Sequence, residues 1–210
     1  MLTVHHLGMS QSERIVWLCE ELALDYTLKR YDRRADNHLA PDDYKALSPT
    51  GSAPFITDGD LVLGESAAIC EYICARHGQG RLMPTAEHPD FADHLFWFHW
   101  SNGTFMTTGM MEVVLAVAAP GADISFVSER SERGWAMVEA RLGQAPYFGG
   151  AQLTTADIMM GYALTTGRQF RGKRIDDLPN LQAYLQRIGE RPAYQRAMAK
   201  AEPGTPPNLT

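Results

Sequence analysis

The strand signals of this sequence all lie before Gly78, and this asymmetry constrains the fold more than any other feature. Asp58-Gly59 between two short apolar segments is a hairpin signal, and a segment with helical spacing separates the two strands that come before it. The predicted strands are residues 2–7, 26–31, 55–57 and 61–63. Helices are predicted to begin near Ser10, at Pro41 and at Glu65. This order, βαβ followed by ββα, predicts a small mixed sheet with helices packed against it.

The second part of the chain has a different pattern. Residues 78–89 are rich in glycine, proline and polar side chains, as is typical of a linker. Beyond them the apolar residues follow helical spacing, and the predicted helices are residues 90–118, 124–143, 155–170, 179–189 and 192–201. We therefore predict an α/β domain of residues 1–79, a linker of residues 80–89 and an all-α helical bundle domain of residues 90–210.

Charge and cysteine content exclude several classes of function. The formal net charge of −6 argues against nucleic-acid binding through a basic surface and against anionic membranes. No apolar stretch is long enough to span a bilayer, and the N-terminus lacks a secretory signal. The three cysteines have neither CxxC nor zinc spacing, which indicates a reducing, cytoplasmic location. The spacing of the pairs His5/His6 and His94/His99 does not suit a metal, so no metal site is expected.

Two serines stand where the first strand turns into the first helix. A helix N-terminus carries unpaired amides and about half a positive charge, which favours an anion nearby. A hydroxyl at this place, from Ser10 or Ser12, could donate to a bound thiolate or phosphate. The plainer interpretation is that one of the serines caps the helix, with Glu13 completing a capping box. The residue types leave both interpretations open.

Two further segments suit an extended, peptide-like ligand. Glu65 and Ser66 begin a later helix, where a hydroxyl and free amides would receive a carboxylate and Glu65 an ammonium group. This pair therefore suits the α-amino acid end of a ligand, or else serves as an ordinary cap. A cis peptide bond at Ala53-Pro54 would expose the backbone of Ala53 to such a ligand, whereas a trans bond would merely lead into a strand.

Two features of the second part have a structural explanation. Thr154 and Asp157 have the spacing of a capping box and predict the start of a buried helix, with no chemistry assigned. The run from Phe96 to Met111 is dense in aromatic residues and methionine, which mostly form core. Methionine also lines permissive apolar pockets. Candidate pocket-wall residues are Phe105, Met106 and Met110.

In their order and spacing these segments resemble the glutathione S-transferase superfamily over essentially the whole chain. The resemblance is carried by residues 10–16, 53–54, 65–69, 153–158 and 191–197. It implies a thioredoxin-like domain followed by a helical domain. It also implies glutathione as co-substrate without a metal or organic cofactor, and a twofold homodimer.

The resemblance further implies a role for individual residues. Pro54 would follow a cis bond, and the Ala53 backbone would pair with the cysteinyl part of glutathione. Glu65 and Ser66 would hold the γ-glutamyl end. His38 and Ser52 would lie near the glycine carboxylate. The segment between Ser48 and Pro54 contains no lysine or arginine, which departs from the family pattern and weakens the expected hold on that carboxylate.

Ser10-Gln11 followed by Arg14 resembles the theta-like, serine-using members, so Ser10 is the expected catalytic residue and Ser12 the alternative. The implied activity is stabilisation of the glutathione thiolate, which then attacks a small electrophile held in an apolar pocket. Two alternatives remain: glutathione-dependent peroxide reduction at the same site, and a binding or interaction module that keeps the fold without catalysis.

Overall fold

The computed structural model describes residues 1–48 and 50–210. Pro49, which belongs to the predicted loop before the third strand, lies outside the described residues. In chain order the elements are β1 (Leu2–Leu7), α1 (Glu13–Glu21), β2 (Thr27–Tyr31), α2 (Asp42–Lys45), β3 (Phe55–Asp58), β4 (Leu61–Gly64), α3 (Ser66–Arg76), α4 (Phe91–Trp100), a π-helical turn (Ser101–Met106), α5 (Thr107–Ala118), α6 (Ser125–Gln144), α7 (Thr155–Leu164), α8 (Thr166–Arg171), α9 (Pro179–Gly189) and α10 (Pro192–Ala201). None of the described helices is both long and apolar enough to cross a membrane.

The chain divides into two compact units. The N-terminal unit comprises Met1–Met83 together with Gly189–Pro207. The helical unit comprises Pro84–Ile188 and Asn208–Thr210. The first boundary thus falls inside the predicted linker of residues 80–89, whereas the segment that contains α10 packs in the N-terminal unit and not in the helical domain predicted for residues 90–210.

The N-terminal unit is built on a four-stranded mixed sheet in the order β2-β1-β3-β4. β1 runs parallel to β2 and antiparallel to β3, and β3 forms a hairpin with β4. Successive side chains of a strand point to opposite faces of the sheet, and all residues of β1 except Thr3 are buried, so both faces of β1 are covered. On one face Leu7 packs with Tyr31, Tyr44 and Phe55. α1 and α3 pack against each other and against the sheet.

α10 joins the N-terminal unit because its apolar and charged residues match α1. The Tyr194 ring meets Trp17 edge to face at 4.9 Å. Arg191 donates to both carboxylate oxygens of Glu21 at 2.7 Å. The buried alanines Ala193, Ala197 and Ala201 lie on the same helix. Small side chains of this kind let two helices approach closely.

In the helical unit α7 is buried along its whole length and packs against α4. The structure breaks two segments that were each predicted as one helix. Within residues 90–118 a π-helical turn intervenes, in which Ser101 donates to Met159 O at 2.8 Å and Thr107 to Asn102 O at 2.7 Å. Within residues 155–170 the break is at Thr165, whose hydroxyl donates to Gly161 O at 2.8 Å, a bond that bends helices.

The predicted fold class is confirmed. The N-terminal unit has a thioredoxin-like arrangement of a mixed sheet with helices, and the helical unit is all-α among its described residues. The predicted strands and the helices at residues 124–143, 179–189 and 192–201 agree with the observed elements to within one residue at each end.

Candidate functional site

Three segments meet at one end of the sheet. His5 of β1 lies opposite Phe55 of β3, and Phe55 in turn pairs with Gly64 of β4. The C-terminal end of β1, the N-terminal end of β3 and the C-terminal end of β4 therefore lie side by side. The turn after β1, the Ala53-Pro54 step and the start of α3 share this corner of the N-terminal unit.

Ser10 occupies the turn that leads from β1 into α1. Its hydroxyl lies 2.6 Å from Leu7 O, to which it donates, and 2.7 Å from the Ser12 hydroxyl. It also accepts from the Ser12 amide at 3.3 Å. The residue is 5% exposed, and these contacts hold its hydroxyl in one place.

Ser12 lies one layer deeper and is completely buried. Its hydroxyl accepts from the Leu7 amide at 3.1 Å and lies 2.8 Å from His6 Nδ1. Ser12 is the N-cap residue of α1, but no side chain caps the helix there. The Ser12 hydroxyl is engaged instead with the Leu7 amide and with His6. The alternative of a capping box from Ser10 and Glu13 stays a prediction.

Behind the serines, the imidazole of His6 is fully buried, and its Nε2 lies 3.0 Å from Glu202 Oε1. Glu202 follows α10 and also accepts from the Met9 amide. Burial acts to raise the pKa of Glu202, but the hydrogen bonds from His6 and Met9 hold it below its usual range. Sequence reasoning missed both His6 and Glu202, since 196 residues separate them.

The starts of α1 and α3 are tied together by a buried arginine. Arg14 Nη1 donates to Gln11 Oε1 at 2.8 Å and to the Ser66 hydroxyl at 3.3 Å. Both Arg14 and Ser66 are about 1% exposed. Arg14 thereby links the predicted site residue Ser66 to Gln11, the residue after Ser10. The sequence signal for Arg14 was its place in the motif that follows Ser10.

Glu65 precedes α3 in an unusual backbone conformation. Its φ of 71° and ψ of 119° lie where residues with a Cβ are strained. The side chain is exposed. Such strain is concentrated at functional sites, where the surrounding structure maintains it.

The Ala53-Pro54 peptide bond is cis in the structure. Ala53 is half-buried against the aromatic cluster of Leu7, Tyr31, Tyr44 and Phe55. Ser52 is exposed, and its hydroxyl donates to Thr50 Oγ1 at 3.2 Å.

His38 lies in the loop between β2 and α2, exposed and with a φ of 59°. Arg33 attaches this loop to the turn that contains Ser10. Its Nε donates to Gly8 O at 2.7 Å, its Nη2 to Met9 O at 3.3 Å and its Nη1 to His38 O at 3.0 Å. Sequence reasoning did not single out Arg33, because nothing in the polar run of residues 32–43 distinguishes it from its neighbours.

The helical unit contains a separate apolar pocket of about 90 Å³. Met106 and Met110 contribute to its wall, together with Tyr162 of α7 and Phe170 of α8. Phe105, the third predicted wall residue, is 2% exposed and packs between Trp100 and Trp135 in the core. The structure therefore brings the two methionines to the pocket and Phe105 behind it.

Arg171 completes the pocket wall and was not anticipated. It donates to Glu112 at 2.7 Å and to the Ser131 hydroxyl at 2.8 Å. Its guanidinium group passes so close to Gly109 that a Cβ there would lie 2.4 Å from Cζ. Glycine at this position is what admits the arginine.

The capping box predicted at Thr154 and Asp157 is confirmed. The buried Asp157 carboxylate accepts from the amides of Thr154 and Phe148, each at 2.9 Å. Burial raises the pKa of Asp157 to about 6, and the hydrogen bonds from Thr154, Phe148 and Tyr184 offset part of this effect. The motif is structural, since it joins α7 to the segment before it.

The remaining reactive groups do not form a second centre. Burial, followed by the charge of His99, lowers the pKa of His94 to about 4. Burial raises the pKa of Cys19 and Cys70 far above the range in which thiols react. Among residues 1–48 and 50–210, no group of three or more His, Cys, Asp or Glu side chains could hold a metal ion.

Comparison with known families covers both units. Residues 8–76 match the model of the glutathione S-transferase N-terminal domain. Residues 110–192 match the model of the glutathione S-transferase C-terminal domain. The first match contains Ser10, the Ala53-Pro54 step, Glu65 and Ser66, which are the residues gathered at the sheet corner.

Individual relatives agree. The chain is 27% identical to glutathione S-transferase 3 of Schizosaccharomyces pombe, over 98% of this chain and 90% of the relative. A glutathione S-transferase from Actinobacillus pleuropneumoniae matches with a TM-score of 0.88 and 32% identity, over 96% of this chain and 93% of that one. The theta class glutathione S-transferase of Xanthomonas axonopodis pv. citri, solved with glutathione bound, matches with a TM-score of 0.72 and 30% identity, over 93% of this chain and 96% of that one. The chain belongs to the glutathione S-transferase family of enzymes.

Proposed function

We propose that the protein binds glutathione at the sheet corner and activates its thiol as a thiolate for conjugation to small electrophiles. The observation that carries the proposal is the Ser10 hydroxyl, which hydrogen bonds fix in the turn that leads into α1. The name of the theta class relative, which was solved with glutathione bound, supports glutathione as the co-substrate. The proposal includes no metal or organic cofactor.

The chemistry of the corner supports one orientation of glutathione. The exposed Glu65 carboxylate suits the ammonium group of the γ-glutamyl end, and Ser66 at the first turn of α3 suits its carboxylate. The Ala53 backbone, which leads into β3, suits the peptide part. Ser52 and the loop that carries His38 are assigned to the glycine end. Arg33 supplies a positive charge in that loop, where the segment between Ser48 and Pro54 has none.

The energy that activation requires is within reach of this site. A free thiol has a pKa of about 8.5, so about 3% of it is thiolate at pH 7. Lowering that pKa by about two units needs about 2.7 kcal/mol of preferential stabilisation of the thiolate. One hydrogen bond to a charged group contributes about 1.5–3 kcal/mol and a helix N-terminus about 0.3–1 kcal/mol. Ser10 together with α1 can therefore supply the shift.

The electrophile is assigned to the apolar pocket that Met106 and Met110 help to form. An apolar, methionine-lined wall accepts varied small molecules and discriminates weakly between them. Reduction of a peroxide would use the same thiolate, and a non-catalytic binding module would use none. The proposal also includes a twofold homodimer, taken from the family resemblance, and a cytoplasmic location, taken from the cysteine content. Sedimentation of the purified protein tests the dimer.

Ser10→Ala tests the catalytic assignment. We expect the variant to bind glutathione while the bound thiol pKa rises by one to two units from about 6.5, which leaves about three- to twenty-fivefold less thiolate at pH 7. Thiolate absorbance in the ultraviolet, followed across pH with saturating glutathione, measures this.

Ser52→Ala serves as the matched control, because it removes an exposed hydroxyl from the same corner without touching the thiol's expected donor. An unchanged thiol pKa in Ser10→Ala contradicts the assignment, and a failure of the wild-type protein to bind glutathione favours the interaction module. Turnover of an aromatic halide against that of an organic hydroperoxide separates conjugation from peroxide reduction.

A further inference from the structure

Polar contacts continue inward from Ser10 to a carboxylate far along the chain. Ser10 Oγ lies 2.7 Å from Ser12 Oγ, and Ser12 Oγ lies 2.8 Å from His6 Nδ1. His6 Nε2 lies 3.0 Å from Glu202 Oε1. We call these four residues the Ser10–Glu202 chain. The two serines and His6 are buried, and the Glu202 side chain is 13% exposed, so bulk water has little access to their protons.

A neutral His6 would turn the Ser10 hydroxyl inward. Glu202 accepts a hydrogen bond from Nε2, so the proton of a neutral imidazole sits there and Nδ1 is an acceptor. Nδ1 then accepts a hydrogen bond from the Ser12 hydroxyl, whose single proton is thereby used. The 2.7 Å contact between the serines must use the proton of Ser10. If Ser10 donated to a sulfur instead, two hydroxyl oxygens would face each other at that distance with no proton between them.

When His6 is doubly protonated, the hydrogen bonds between Nδ1 and Ser12 and between Ser12 and Ser10 reverse direction, while Nε2 still donates to Glu202. Nδ1–H donates to Ser12 Oγ, which also accepts from the Leu7 amide at 3.1 Å. Ser12 then donates to Ser10, and the proton of Ser10 is left for an acceptor outside the Ser10–Glu202 chain. Every short contact in the set is satisfied in this arrangement.

We propose that Glu202 holds His6 as an imidazolium, and that the two act as positioning residues that turn the Ser10 hydroxyl toward the glutathione sulfur. The inference rests on the proposed function, since it needs a thiol at Ser10. Before glutathione binds, the Ser10 proton is taken by Leu7 O at 2.6 Å. A thiolate carries a full charge and is the stronger acceptor, so it replaces that carbonyl.

The groups around His6 come from three elements. Glu202 follows α10 and is kept ionised by His6 and by the Met9 amide against the effect of burial. Arg30 lies at the paired position on β2 and opposes a second positive charge. Its guanidinium group donates to Ala201 O at 2.8 Å and to Asp32 at 3.5 Å, and these acceptors offset part of its positive charge. On the side of α1 the contact of His6 is the uncharged Ser12 hydroxyl, at 2.8 Å from Nδ1.

The protonation of His6 can be observed directly. We expect nitrogen NMR of the ¹⁵N-labelled wild-type protein, saturated with glutathione at pH 7, to show both ring nitrogens of His6 protonated. A His6→Asn variant identifies the signals. A neutral ring with a proton on Nε2 alone overturns the inference, and this measurement does not depend on any variant remaining folded beyond its use for assignment.

Glu202→Gln tests the consequence for the thiol. It retains the shape of the side chain and removes the charge, so we expect the pKa of the bound glutathione thiol to rise by about one unit, from about 6.5 to about 7.5. This leaves about threefold less thiolate at pH 7, with glutathione affinity unchanged. Glu21→Gln is the matched control. It weakens the packing of α10 on α1 through Arg191 without touching the Ser10–Glu202 chain.

The possible results separate the inference from the function on which it rests. The inference is supported if the pKa of the bound thiol rises in Glu202→Gln and not in Glu21→Gln. An equal rise in both variants, or no rise in Glu202→Gln, overturns it while leaving the activation by Ser10 in place. A wild-type protein whose bound thiol keeps the pKa of free glutathione refutes the proposed function, and the inference with it.

Discussion

At the scale of single residues, Glu65 combines backbone strain with a predicted ligand contact. Its φ of 71° is a conformation that glycine adopts freely and other residues do not. We expect Glu65→Gly to raise the free energy of unfolding by about 1 kcal/mol, since it relieves strain of about 1–3 kcal/mol and adds some freedom to the unfolded chain. The same change removes the carboxylate proposed to hold the glutathione ammonium group, so affinity should fall about tenfold or more.

Glu65→Ala is the control for this prediction, because it removes the carboxylate and keeps the strain. Urea unfolding and glutathione titration of both variants give the two quantities. If Glu65→Ala is stabilised as much as Glu65→Gly, the backbone at this position is not strained.

Residue types and local spacing marked the serines at the first helix start, and Glu65 with Ser66, as candidates beside the plainer interpretation as caps. The family resemblance then selected Ser10 over Ser12 and assigned the roles. His6 could not be found in this way. Its partner Glu202 is 196 residues away, and only the docking of α10 brings the two together. Nor did the sequence distinguish Arg33 from Arg34, although Arg33 bonds to Gly8 and Met9 and Arg34 bonds to Asp36 in its own loop.

At the scale of elements, the start of α7 depends on a buried carboxyl group whose titration affects stability. Burial raises the pKa of Asp157 to about 6, above the value of about 3.9 for an unfolded chain. Between these two values the folded protein binds the extra proton. The contribution of this group to stability is therefore complete below about pH 4 and is lost as the pH rises through about 6.

Between about pH 3.9 and about pH 6, we expect the difference in unfolding free energy between wild type and Asp157→Asn to change by up to about 1.4 kcal/mol per pH unit. The wild-type protein becomes less stable relative to the variant as the pH rises. Urea unfolding at several pH values measures it. Subtracting one protein from the other removes the contributions of all other titrating groups. A difference that is flat with pH would show that Asp157 is ionised throughout.

Elements with a local signal were predicted well, and elements shaped by distant contacts were not. The hairpin at Asp58-Gly59 and the capping box at Thr154 depend on residues a few positions apart. The π-helical turn after α4 depends on Ser101 reaching Met159 O, a contact across 58 residues. Helical periodicity continues through such a turn, so the pattern of residues 90–118 contains no sign of it.

At the scale of the whole molecule, the N-terminal unit is discontinuous in sequence. It needs Gly189–Pro207, and α10 within that segment covers Trp17 on α1. We expect a chain that ends at Gly189 to lose glutathione binding and to be cleaved at least tenfold faster by protease within residues 1–83, since removing α10 exposes buried aromatic surface. Limited proteolysis with mass spectrometry measures the rate at each site.

A chain that ends at Pro203 is the control, because it retains α10 and Glu202 and lacks only the last residues. If the shorter chain resists protease in residues 1–83 as well as the control does, α10 is not needed for the stability of that unit. The sequence placed α10 in the helical domain because it follows other helices. Its partner is recognised only from three-dimensional contacts such as Tyr194 on Trp17.

The discontinuity of the N-terminal unit also bears on the order of events during synthesis. Domains generally fold as they leave the ribosome, with the N-terminal one first. Here Pro84–Ile188 is complete while the last segment of the N-terminal unit is still being translated. The helical unit can therefore reach most of its native contacts first, and the N-terminal unit must wait for Gly189–Pro207.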